Sequence, residues 1–107
     1  MNLSQLSQRA LEIRKKYAEL ETEKFGIEWT VEQIAEGFAG DVEDLIKLTK
    51  ERAKGESVAE KEKLAHELSD CLWSVLVLAD KFGVDLEQSF LQTMSDLEIK
   101  IDREKAI

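Results

Sequence analysis

The sequence predicts an all-α fold, a single four-helix bundle-like unit over residues 1–107 that assembles into a homo-oligomer. Two observations point there directly: the chain has no proline, and its five glycines fall mostly between stretches with apolar residues at helical spacing. The third is length. A 107-residue chain buries a core of its own, yet is small enough to gain from the surface of a second subunit.

The first predicted helix runs from Leu3 to Glu23, where Leu3, Leu6, Ala10, Ile13, Tyr17 and Leu20 recur at helical spacing and Gly26 follows the end. The second begins after Thr30, which forms a capping-box pattern with Gln33, and runs to Ala53 ahead of Gly55. The third starts after Ser57, with Glu60 in the matching position, and reaches Phe82, where Gly83 supplies a stop. The fourth opens with Asp85 as N-cap and carries Leu86, Phe90, Met94, Leu97 and Ile101 on one face. The charged segment Lys54–Lys63 reads as the mobile connection.

The third helix holds a run, Cys71 to Ala79, with one polar side chain, Ser74. A helix that is apolar all round has to be covered on more than one side. The stripe Leu64, Leu68 and Val75 is assigned to the core, and Trp73 and Val77 to a subunit interface. Cys71, the lone cysteine, lies in this run and reads as a small buried thiol.

Composition narrows the function classes. Fifteen basic against 23 acidic side chains, a formal charge of −8, argue against a nucleic-acid polymer as partner, because backbone phosphates need clustered cations. No apolar run is long enough for a membrane span, and the first residues lack the layout of a secretory signal, so a cytoplasmic location is expected. A small phosphorylated substrate stays compatible with the charge, since a divalent metal held by carboxylates inverts the local field.

The second helix contains a conflict. Projected at about 100° per residue, Ile34, Phe38, Leu45 and Leu48 form a core stripe, and Asp41 falls inside it with Asp44 at its edge. An unpaired buried carboxylate costs several kcal/mol, so a compensating cation is required. The third helix answers with two further acids, Glu67 and Asp70, beside its own stripe. Residues at i and i+3 share a helix face, so Asp41 with Asp44, and Glu67 with Asp70, each form a two-carboxylate jaw. Packed antiparallel, the jaws oppose each other, and four oxygen donors suit a hard ion, Mg²⁺ or else Mn²⁺. The plain alternative is solvated surface charge, because 36% of the chain is charged.

These motifs, Asp41-Val-Glu-Asp44 and Glu67-Leu-Ser-Asp70, resemble the ExxE and ExxD pair of the MazG-like all-α nucleoside triphosphate pyrophosphohydrolase superfamily. The text around them, Gly40 to Leu45, His66 to Trp73 and Leu78 to Leu86, strengthens the likeness, which spans roughly Trp29 to Ile101. The resemblance implies a four-helix unit that dimerises or assembles further. It implies hydrolysis of a nucleoside or deoxynucleoside triphosphate between the α and β phosphates, to monophosphate and pyrophosphate, as housekeeping of the nucleotide pool. Asp41, Asp44, Glu67 and Asp70 would then hold Mg²⁺, which polarises phosphate oxygens and acidifies the attacking water. The chain departs from the pattern in using aspartates in the first motif, in having Gly40 where many relatives have an acid, and in having Leu97 where some have asparagine.

Trp29 resembles a tryptophan near the same point in several members, and it either stacks on a base or packs its loop onto the first helix. Arg52 and Lys100 are candidate phosphate contacts, with Arg103 a similar case, and helix-end or solvated cations as the alternative. His66 projects to the polar side of its helix. Two further readings stay open: a non-catalytic helical oligomerisation or binding module, and a phosphoribosyl-ATP pyrophosphohydrolase. The partners expected are a nucleotide and further copies of the chain, as homodimer or homotetramer.

Overall fold

A computed structural model of the chain describes residues 1–50 and 57–106. Among them are four helices and no strand: α1 (Leu3–Phe25), α2 (Val31–Lys50), α3 (Val58–Lys81) and α4 (Leu86–Lys105). None is long and apolar enough to cross a membrane.

Local chemistry sets the ends. Asn2 and Gln5 exchange side-chain to backbone hydrogen bonds, each of 2.9 Å, a reciprocal box that starts α1. The stop comes at Gly26, at φ 80°, whose N–H donates to the Thr22 carbonyl, so α1 runs two residues beyond Glu23. Thr30 and Gln33 form the expected box at the start of α2, at 2.8 and 3.2 Å. The Ser57 hydroxyl accepts from the Glu60 N–H at 3.1 Å, and the Asp85 carboxylate from that of Gln88 at 3.2 Å. Residues 58–63 are therefore the first turns of α3 and not a loop; the rest of the expected mobile segment, 54–56, and the expected end of the second helix, 51–53, lie outside the described residues.

The early part of α2 faces the late part of α3, with Ile34 and Gly37 opposite Ser74 and Val77, while Leu48 faces Ala59, so the two helices pack antiparallel. α1 lies against α3, and Ala10, Ile34, Leu76 and Val77 form the core. Here the interface expectation is corrected. Val77 is only 1% exposed, so it is unavailable to a partner, whereas Leu68 and Leu72 face outward. An all-apolar helix has no face that periodicity alone selects. The choice falls to Trp73, whose indole N–H donates to the Ala10 carbonyl at 3.0 Å and whose ring sits tilted against Tyr17 with centroids 5.6 Å apart.

No residue of α4 is buried; Phe90, Leu91, Met94, Leu97 and Ile101 all stay largely open. The Cα radius of gyration is 17.3 Å and the extents 59 × 37 × 27 Å, against about 13 Å for a compact domain of this length. The amphipathic pattern thus forms its helix, but the apolar stripe stays largely uncovered among the described residues.

Candidate metal centre and adjoining cleft

Antiparallel packing of α2 on α3 brings the acids together. Ligand oxygens of Asp41, Asp44 and Glu67 lie within 4.8 Å of one another, and ligand atoms of His66, Glu67 and Asp70 do likewise, so Glu67 belongs to both groups. Asp41, Glu67 and Asp70 are half-buried, Asp44 exposed. Glu67 Oε2 is buried with no hydrogen-bond partner among the described residues, a costly state for a carboxylate oxygen. His66, exposed on the polar side, reaches Asp70 with Nε2 at 3.1 Å from Oδ2. The i,i+4 relation carried that contact in the sequence. These groups could hold a metal ion, and their hard oxygen donors with one imidazole suit a divalent cation.

The acids also act on one another electrostatically. Burial first, then the charges of Asp70 and Asp44, push the Asp41 carboxyl above its usual range, with His66 acting weakly in the opposite direction. Cys71 next door is raised too, by burial and then by Asp41, Glu67 and Asp70. The thiol therefore stays protonated, and labelling of native Cys71 by a thiol-specific disulfide reagent at pH 8 is expected to be at least about tenfold slower than in denaturant. Equal rates would contradict this.

Beside the acids lies a cleft of about 230 Å³, lined on its apolar side by Trp29, Gly37, Trp73 and Val77, and also by Asp41 and Asp70. Gly37 makes the close approach of Trp29 possible: a Cβ there would sit 3.2 Å from the indole Cζ3. The Trp29 N–H donates to the Glu21 carboxylate at 2.8 Å, which ties the loop ahead of α2 to α1. A second, more open depression of about 550 Å³ adjoins Asp44 and Glu67, and Lys47 and Lys63 line it.

Arg14 also lines the first cleft, and it pairs with Glu21. Both are buried, at 9% and 8% exposure, and sequence reasoning passed over both. The signal was present: Arg14 and Glu21 project within about 40° of Ala10 on α1, a charged residue inside an apolar stripe as at Asp41. The Arg14 hydrogen bond first, then the Trp29 N–H, hold the Glu21 carboxyl below its usual range despite burial.

Of the other candidates, Trp29 lines the cleft. Lys100 and Arg103 lie exposed on α4 and line neither cavity. Arg52 lies outside the described residues. In comparisons with protein families, with curated proteins and with solved structures, the chain finds no match.

Proposed function

We propose that the chain is a Mg²⁺-dependent nucleotide pyrophosphohydrolase of the MazG-like kind, acting in the cytoplasm on nucleoside or deoxynucleoside triphosphates. The observation that carries this reading is that Asp41 and Asp44 on one side and Asp70 on the other meet at Glu67, one of whose buried oxygens has no partner among the described residues, next to a tryptophan-lined cleft. Acids crowded so closely repel one another unless a cation joins them. When bound, a divalent ion supplies Lewis-acid polarisation of the phosphates and offsets charge on the departing pyrophosphate.

The residues of the chain divide the remaining work. Trp29 and Trp73 offer aromatic faces to a nucleobase, and Lys47 and Lys63 face the phosphate tail from the open depression. Base and phosphates are then held at opposite ends of the acidic cluster, so that positioning accounts for much of the rate. His66 restrains the Asp70 carboxylate.

The test is release of pyrophosphate and monophosphate from a panel of nucleotides with Mg²⁺. Turnover is expected, and Glu67→Gln is expected to lower kcat by about 10²- to 10³-fold, the scale of losing a principal electrostatic stabiliser. A folded protein that turns over no nucleotide would defeat the reading. Appearance of a phosphoribosyl product from phosphoribosyl-ATP in the same panel would redirect it to that substrate.

The uncovered stripe of α4 supports a second copy as partner. Leu3, Leu72, Val75, Leu86, Phe90 and Leu91, with Glu87 as the one charged lining residue, form a largely apolar groove of about 450 Å³ at the junction of α1, α3 and α4. Sedimentation is expected to give a dimer or larger assembly, and Phe90→Glu with Leu97→Glu to weaken it by at least about tenfold, since two charges would enter an apolar interface. A monomer at high concentration would exclude such assembly.

A further inference from the structure

We infer that Arg14 is a specificity-determining residue: its guanidinium reads a pair of adjacent acceptors on the base, so the cleft favours guanine and cytosine nucleotides over adenine, thymine and uracil ones. The inference rests on the nucleotide reading above and deepens it.

Arginine is seldom buried, because its charge is expensive to remove from water. Here it is 9% exposed, and its Nη2 donates to Glu21 Oε1, the same oxygen that accepts the Trp29 N–H. Glu21 by itself ties the Trp29 loop to α1, so that task does not need an arginine. A buried ion pair is moreover often replaceable by apolar side chains of similar volume at no loss of stability. What Arg14 adds is a planar fork of donors at the wall of a cleft. Glu21 is its one hydrogen-bond partner among the described residues, which leaves further N–H groups to meet a ligand.

The charge balance selects the kind of ligand atom. Arg14 and Glu21 together are neutral, which suits a neutral acceptor edge and not a second anion. The phosphates belong at the acidic end, beside Asp41 and Asp70 and toward the depression lined by Lys47 and Lys63. The neighbours Trp29, Trp73 and Val77 suit a flat heterocycle.

Arginine only donates, so the matching base edge must accept. Guanine offers O6 and N7 side by side and cytosine O2 and N3, whereas thymine and uracil set each carbonyl oxygen beside the N3–H donor. Adenine has acceptors at N1 and N7, but each lies beside the exocyclic amino group, which turns a donor toward the fork. A buried site built to hydrogen-bond one partner discriminates strongly against a ligand that leaves its groups unpaired.

The test is equilibrium binding of dCMP, dGMP, dTMP and dAMP, read from quenching of tryptophan fluorescence, for the unmodified protein and for Arg14→Lys. The lysine keeps the charge opposite Glu21 and removes the fork. An Arg14→Met, Glu21→Gln double variant, free of buried charge, guards against loss of fold and is checked by circular dichroism. dCMP and dGMP are each expected to bind at least about tenfold more tightly than dAMP and dTMP, and both variants to bring that ratio to within about threefold of unity. Equal binding of dAMP or dTMP by the unmodified protein, uniform weakening of all four in the variants, or no binding of any would each overturn the inference. Selective binding without hydrolysis of the corresponding triphosphates would defeat the pyrophosphohydrolase reading and leave the role of Arg14 standing. Hydrolysis without base selectivity would do the reverse.

Discussion

Replacing Asp41 with asparagine is expected to raise the melting temperature in the absence of divalent ions, by about 2–5 °C, and to abolish stabilisation by Mg²⁺. The Asp41 carboxyl is raised above its ordinary 3.8 by burial and by Asp70 and Asp44. From 3.8 up to its folded-state value, the folded protein therefore holds a proton that the unfolded chain has released. Stability falls as pH rises through that window, and at neutral pH the charge is a cost the fold bears. Asparagine keeps the shape and cannot ionise. In the unmodified protein a divalent ion should reverse the cost, since ligand at about a hundredfold over its Kd adds about 2.7 kcal/mol, or about 10 °C for a domain of this size. Thermal melts of both proteins with EDTA and with Mg²⁺ form the test. A variant that melts lower in EDTA and still responds to Mg²⁺ would show Asp41 to be an ordinary structural carboxylate.

That stability is sacrificed at Asp41 explains why the site was legible. Helical periodicity told where Asp41, Asp44, Glu67 and Asp70 point, and a charge inside a stripe of Ile34, Phe38, Leu45 and Leu48 conflicts with packing, so the conflict itself marked the position. Caps were equally local: Thr30 with Gln33, Ser57 and Asp85 needed only their own neighbours. What escaped depended on tertiary context. The inward face of α3 was undetermined because Cys71 to Ala79 is apolar on every side, and the deciding contact, Trp73 on the Ala10 carbonyl, joins residues far apart in the chain. Arg14 and Glu21 escaped for a different reason. They project into the apolar stripe beside Ala10, but as opposite charges seven residues apart they leave no net charge to compensate, and it is the approach of Trp29 and α3 that removes them from water.

Glu21→Ala is expected to destabilise the chain by about 3–5 kcal/mol, out of a total that for domains of this kind is about 5–15 kcal/mol. The loss is twofold, because it strands the Arg14 charge in the interior and removes the acceptor of the Trp29 N–H. The double substitution Arg14→Met, Glu21→Leu should recover much of the deficit, since it removes both charges from the interior together. The pH dependence separates this pair from Asp41. Arg14 holds the Glu21 carboxyl below its ordinary 4.5, so its contribution is complete above that value and disappears as pH falls through the depressed folded-state value, opposite in sign to Asp41. Urea midpoints followed from pH 7 to 2.5 should therefore fall more steeply with acid in the unmodified protein than in the double variant. Parallel curves would mean that the pair is not buried in solution. If the curves diverge as expected, the double variant also separates two tasks of one oxygen: a Trp29 emission that shifts while α-helical content holds would show that Glu21 positions the tryptophan wall of the cleft, over and above neutralising Arg14.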